Sequence, residues 1–290
     1  MTIDSITDAA PGVDVAAIMG GLYGDGIIAC KGAFSREFIV RLGEDIAMLF
    51  DEARARPGGA LARGPQRHYV EIHPERLRGF VELISHPWLV AVSRAILGDD
   101  YKIVEMGFDV PGPGAQLQPW HRDFPAPPAT VRGRRLNSLA FNLTTVDVTE
   151  DMGPLEVAHG TQWDELDELG VSSAAASRGA AMFPPPERYP RYEARLHRKL
   201  PKMGDISARS ALTIHRGTAN LSSRARPVLV LGVDAPDANN ADKHDLQVSR
   251  ACFDALDPAL RRHLACRVVE TLEPVEQGHT IPGLLMGAAR

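Results

Sequence analysis

From residue 100 onward the chain is written in short runs of β-forming residues separated by turn signals, and no other feature narrows its fold as much. YKIVEMGFDV (101–110) alternates apolar and polar residues and runs into PGPG. NSLAFNLTTVDV (137–148), PLEVAH (154–159), DISA (205–208), ALTIH (211–215) and PVLVLGV (227–233) follow it. Several short strands at such spacing predict a β-sandwich or jelly roll. The helical segments precede these strands rather than alternate with them, which argues against a parallel βαβ sheet. No glycine-rich phosphate loop follows a strand.

The first hundred residues read differently. Residues 1–24 form a polar lead-in, and GIIAC (26–30) reads as a short strand. Ser35 is a candidate N-cap for an amphipathic helix running to about Ala55, with Ile39, Leu42, Ile46, Leu49 and Phe50 at helical spacing. Gly and Pro mark 56–66 as a loop. A second helical segment covers about 75–97, with a break near Pro87. Residues 124–135 and 165–199 interrupt the strands, and the latter contains FPPPERYPRYE. Excursions of that length are either surface loops or functional lids, with Arg188, Tyr189, Arg191 and Tyr192 as lid candidates. A C-terminal helix is expected within 247–272. The chain is thus expected to be mainly β with flanking α-helices. It divides into a helical part (about 25–98), a β core (about 100–235) and a C-terminal helix and tail (about 236–290) of one domain.

Composition excludes several classes. Hydrophobic residues make up 44% and charged residues 24%, which suffices for a packed core. A net charge of -5 argues against general nucleic-acid binding, because phosphate recognition needs a basic surface. Cys30, Cys252 and Cys266 are odd in number and match no zinc spacing, so no disulfide framework is expected and a reducing cytoplasm is the natural setting. The N-terminal residues lack the basic start and apolar stretch of a secretion signal. No run of about 18 apolar residues suggests a membrane span.

The chemistry concentrates in Trp120-His121-Arg122-Asp123-Phe124. In extended backbone, residues two apart face the same way, so His121 and Asp123 can present an imidazole and a carboxylate to one metal ion. His215, at the end of ALTIH, supplies a second imidazole. Two histidines and a carboxylate on one face of an octahedron leave three positions open, two for a chelating co-substrate and one for dioxygen. With 10 histidines in the chain a chance His-x-Asp is easily produced, so the segment after His215 matters. Arg226 lies eleven residues past His215, where a return strand would bring it back toward the ion. A guanidinium grips a carboxylate as a two-pronged fork, as the distal end of a dicarboxylic keto acid requires. Arg224 competes for the role. Trp120 is expected to pack behind the metal-binding segment, and Asp205 to hold a turn. His68, His73, His86, His197, His244, His263 and His279 have no partner pattern. Arg132, Arg134 and Arg135 read as a solvated loop cluster or a greeting surface for an acidic substrate.

In order and spacing, PGPGAQLQPWHRD (111–123), DVTEDMGPLEVAHGTQ (147–162), KMGDISARSALTIHRG (202–217) and NLSSRARP (220–227) resemble the phytanoyl-CoA dioxygenase family of iron(II)- and 2-oxoglutarate-dependent oxygenases. The resemblance covers roughly 100–235 and implies a double-stranded β-helix, or jelly roll of the cupin type. It implies His121, Asp123 and His215 as iron(II) ligands and Arg226 as the partner of 2-oxoglutarate, with dioxygen as the second co-substrate. It places Asn142 and Met106 at positions that line the 2-oxoglutarate site. The chain departs from the pattern at His159 and Gln162, where Pro-Gly-Ser-His is usual. His-Arg-Gly at 215–217 stands where many members have His-Gly-Ser, and Thr218 and Ser222 are candidates to replace that hydroxyl. Related halogenases lack the carboxylate, so Asp123 favours hydroxylation, or another oxidation, of a small-molecule substrate. The alternatives are a non-catalytic jelly-roll binding module and a zinc hydrolase or isomerase on the same scaffold; zinc prefers a tetrahedral site and has no need of Arg226.

Overall fold

The computed structural model describes residues 13–123, 128–164 and 182–278. Part of the lead-in, the first part of each long excursion and His279 lie outside the described residues. The large sheet has seven strands: β1 (Ile27–Cys30), β2 (Leu61–Ala62), β3 (Arg67–Glu71), β4 (Lys102–Pro111), β5 (Ser138–Thr144), β8 (Ile206–Ser210) and β10 (Val228–Asp234). Their order across the sheet is β1-β8-β5-β10-β4-β3-β2, and every pairing is antiparallel. A second sheet takes β6 (Leu155–Ala158), β7 (Leu196–Lys199) and β9 (His215–Gly217) in the order β7-β6-β9. The result is the double-stranded β-helix.

Strand alternation gives the large sheet two faces with different tasks. Met106, Phe108, Phe141, Leu143, Ala208, Leu229, Leu231 and Val233 are buried on the outer face. There they meet Phe38, Ile39, Leu42, Ile46 and Leu49 of α2 (Arg36–Ala55) and Leu89, Val92 and Ile96 of α4 (Pro87–Leu97), which follow the shorter α1 (Val15–Gly20) and α3 (Phe80–Ile84) respectively. Each of these side chains other than Ala208 contributes about 1.5–3 kcal/mol by leaving water. Glu105, Asp109, Asn142, Ser207, Arg209, Val228 and Val230 occupy the other parity and face a cavity between the sheets.

Several local expectations hold. The Ser35 hydroxyl accepts from the Phe38 amide and caps α2. The 75–97 segment breaks at Pro87, which starts α4. Three readings change. β3 lies where no strand was expected, beside the Gly- and Pro-rich 56–66 stretch, so the sheet draws three of its strands from residues before 72. ALTIH is not a strand: Ala211–Ile214 turns, and His215 opens β9 instead of ending a strand. The C-terminal helix is two short helices, Arg250–Ala255 and Pro258–Arg261, because Pro258 cannot continue the first.

Candidate active site

His121 and His215 are held by each other's backbone. The His121 amide donates to the His215 carbonyl (3.0 Å) and the His215 amide donates back (2.8 Å), a bridge between otherwise separate segments. The amide of Asp123 donates to the Ala211 carbonyl (2.9 Å). His121 therefore sits in bridged backbone and Asp123 in a bend held to Ala211, rather than both in a full strand, and both side chains still reach one site. Donor atoms of His121, Asp123 and His215 all lie within 4.8 Å of one another. No other group of metal-ligating side chains that close occurs among the described residues.

The surroundings fit the three groups for a cation. Nδ1 of His121 lies 2.9 Å from the Pro119 carbonyl and Nδ1 of His215 3.0 Å from the Thr213 carbonyl. A carbonyl only accepts, so Nδ1 carries the proton in both rings and Nε2 is left with its lone pair toward the centre. Nε2 of His215 is 3.4 Å from Oδ1 of Asp123. Nη2 of the buried Arg209 donates to Oδ2 of Asp123 at 2.7 Å, leaving Oδ1 for an ion. Burial pushes the His121 imidazole down to about 4 and drives His215 well below its ordinary value, so both rings are neutral ligands at pH 7. Burial alone would raise the Asp123 carboxyl. Arg209, His215 and His121 outweigh it and hold the group well below the usual carboxylate range.

A cavity of about 450 Å³ opens from this wall. At one end Arg226 lines it, 6% exposed, with its amide donating to the Pro111 carbonyl at 3.1 Å. Its Nε has no hydrogen-bond partner. Burial, reinforced by nearby Arg67, pushes the guanidinium down to about 10, and Asp109 opposes the shift. Arg67 is 1% exposed and none of its three guanidinium nitrogens makes a hydrogen bond; Oδ2 of Asp109 is 3.6 Å from its Nε. The guanidinium lies against Gly217, where a Cβ would come within 2.3 Å of Nη2. A side chain at 217 would displace Arg67, so the glycine two residues past His215 makes room for a second cation.

The sequence-derived candidates separate cleanly. Asn142 lines the cavity, in register with Ser207 and Val230. Met106 does not: it is 0% exposed, pairs with Leu231 and packs in the core on the helical side of the sheet. One step along a strand reverses the face, and Met106 falls on the wrong parity. Arg224 is exposed, with Nη2 3.4 Å from the Met152 sulfur, whereas Arg226 is buried and lines the cavity. Thr218 and Ser222 bond to the Pro154 carbonyl and to Asn220, holding the turns there, and neither lines the cavity. Trp120 packs with Ala158, Tyr192 and Ile214 behind the histidines. Tyr192 is therefore core rather than lid, and Arg191 pairs with Asp164. Asp205 accepts from the Gly32 and Lys202 amides and pairs with Lys31, a turn-holding role. Arg135 pairs with Asp237, and Arg134 lies over the Trp163 ring. Sequence reasoning missed Arg209 and Arg67. Only the alternation of β8 and an unrecognised β3 could have put them on the inner face.

A sequence model of the phytanoyl-CoA dioxygenase family matches residues 22–228. The chain belongs to this family. Its members are iron(II)- and 2-oxoglutarate-dependent oxygenases, and the His-Asp-His group provides a place for the metal. No curated protein sequence matches the chain. Among solved structures, EctD from S. alaskensis with 2-oxoglutarate and 5-hydroxyectoine is similar (TM-score 0.60, 19% identity, 79% of this chain and 78% of that one). So is the α-ketoglutarate-dependent carbocyclase SnoK from nogalamycin biosynthesis (TM-score 0.58, 16% identity, 78% of this chain and 85% of that one). The epimerase SnoN from the same biosynthesis has a TM-score of 0.57 at 15% identity, over 76% of this chain and 80% of its own. At such identities the likeness is one of fold. No helix among the described residues is long and apolar enough to cross a membrane.

Proposed function

We propose that this chain, as one oxygenase domain, hydroxylates a small organic molecule at a C–H bond, with His121, Asp123 and His215 as the iron(II) ligands. One observation carries the reading: a nitrogen, an oxygen and a nitrogen converge within 4.8 Å at the wall of a cavity that also holds a buried, incompletely bonded Arg226. When bound, iron(II), 2-oxoglutarate and dioxygen supply the oxidation, yielding succinate and carbon dioxide and delivering one oxygen atom to the substrate.

The protein's own residues then have distinct tasks. His121 and His215 are oriented through Nδ1, so their lone pairs need no rearrangement to meet the ion. Arg209 fixes the carboxylate of Asp123 through Oδ2, so that Oδ1 would be the oxygen offered to the metal. Arg226, with Arg67 beside it, offers buried guanidinium donors to the distal carboxylate of the keto acid, and Asn142 offers an amide along its length. Burial at this end strengthens that ion pairing by excluding water. Asp123 also speaks for hydroxylation over halogenation, since its carboxylate would take the ligand position a halide needs on the bound metal.

The test is direct. Anaerobic protein titrated with iron(II) and 2-oxoglutarate should develop the weak visible charge-transfer band of a chelated keto acid. With dioxygen and ascorbate it should release succinate when a fitting substrate is present. Full metal affinity and turnover in both Asp123→Ala and His215→Ala would overturn the ligand assignment. Activity restored by zinc but not by iron would overturn the chemistry.

A further inference from the structure

Gln118 lies opposite Gly217, three residues before His121. The Gln118 amide donates to the Gly217 carbonyl (2.9 Å), and the Gly217 amide donates to Oε1 of Gln118 (2.9 Å). The pair continues the exchange between His121 and His215, with a side-chain oxygen standing in for a main-chain carbonyl. A backbone N–H can only donate, so the atom that faces it is the oxygen, and the other branch of the carboxamide is the NH2 group. Gln118 is 8% exposed and lines the cavity. No acceptor among the described residues takes a hydrogen bond from its Nε2.

The placement gives that NH2 group a use. Gly217 is two residues past His215, and the guanidinium of Arg67 lies against it. Gln118 thus sits where the wall passes from the histidines to the arginine end. With glycine at 217, and with Thr218 and Ser222 bonded into turns, no hydroxyl from the segment after His215 lines the cavity. A carboxylate has about four lone-pair sites, so a neutral donor can share it with guanidinium groups. The carboxamide is held through Oε1 before anything binds, so its free N–H groups need little further ordering.

We infer that Gln118 is a co-substrate-binding residue: its Nε2 donates to the distal carboxylate of 2-oxoglutarate, beside Arg226 and Arg67. The inference rests on the oxygenase reading above and adds a residue to its co-substrate site. Gln118 stands in for the hydroxyl that position 217 lacks, and its paired bonds to Gly217 tie the donor to the His215 segment.

The experiment measures binding without turnover. Anaerobic iron(II) protein is titrated with 2-oxoglutarate and with 2-oxopentanoate, which has the same chelating end and no distal carboxylate. The charge-transfer band and calorimetry give a Kd for each. Wild-type protein that binds no 2-oxoglutarate sinks the oxygenase reading, and the inference with it. With binding established, two variants decide. Gln118→Met removes the donor. Gln118→Glu keeps an oxygen for the Gly217 amide and turns an anion toward the cavity. Gln118→Met should weaken 2-oxoglutarate about 10-fold while leaving iron(II) and 2-oxopentanoate within about 2-fold, and Gln118→Glu should weaken 2-oxoglutarate further. A residue that only pins Gly217 gives another pattern: Gln118→Glu binds like wild type, and Gln118→Met loses both keto acids alike. Circular dichroism establishes that the variants fold, and Gln118→Ala takes the place of Gln118→Met if that one does not. A wild-type Kd for 2-oxoglutarate in either variant, or equal weakening of both keto acids in Gln118→Met, overturns the inference and leaves the oxygenase reading standing.

Discussion

The two ends of the cavity are finished to different degrees. Around His121, Asp123 and His215 the protein supplies its own partners: both Nδ1 atoms are bonded to carbonyls and Asp123 is clasped by Arg209. At the other end Arg226 and Arg67 are as deeply buried, yet Nε of Arg226 and all three guanidinium nitrogens of Arg67 lack hydrogen bonds. The first region fixes geometry before anything binds. The second leaves donors open, with only the 3.6 Å approach of Asp109 to Arg67 set against their charge. The contrast teaches which half of a site the fold completes and which half it leaves open.

The largest effect that would break this contrast is at the ligands. Asp123→Ala and His215→Ala should each lower iron(II) affinity and succinate formation by about 1000-fold or more, beyond the 10–100-fold typical of groups that merely orient a ligand. Equilibrium dialysis and succinate assays measure it. Arg226→Leu should raise the KM for 2-oxoglutarate about 100-fold, as expected for removing one partner of a buried ion pair. Arg226→Lys, which keeps the charge but not the fork, should recover only part of this. Arg209→Met should weaken iron(II) binding about 10-fold, because Asp123 then loses its brace.

A fourth test uses pH on the metal-free protein. The folded His121 titrates near 4, below the ordinary imidazole value of 6.5. The unfolded chain therefore binds the proton first. Stability is full above 6.5 and falls as pH drops from there toward 4, by about 1.4 kcal/mol per unit for this group. Urea melts across that range check it; a flat profile would mean that His121 is already solvated. The smallest effect belongs to Met106→Leu. A near-isosteric core change should cost less than about 1.5 kcal/mol and leave the 2-oxoglutarate KM within about 2-fold. A large KM change would return Met106 to the cavity.

How far the sequence alone reaches depends on whether a signal is local. β4, β5 and β10 were legible because their alternation or β-former runs span seven residues or more. The convergence of His121, Asp123 and His215 was legible because metal ligation demands rare residue types in a set order, and the cavity-facing place of Arg226 was expected from its spacing from His215. β3 was not: RHYVE sits beside a Gly- and Pro-rich stretch and pairs with β4 across some forty residues, a contact without local trace. Met106 failed on parity, which the pairing of Leu231 with Met106 decides and composition does not. Arg209 stood in an alternating strand like any solvated arginine until its neighbour across the fold was known.

The reciprocal amide–carbonyl exchange between His121 and His215 has an evolutionary consequence. Donor spacing is pinned by main-chain atoms, which no substitution can remove and only proline can disarm. Loop residues strung between those two anchors, unlike Asp123 and the strands among them, are free to lengthen or to change in charge without moving either imidazole. New substrates can be sampled by rewriting that intervening chain while the oxidising centre stays where the ladder put it.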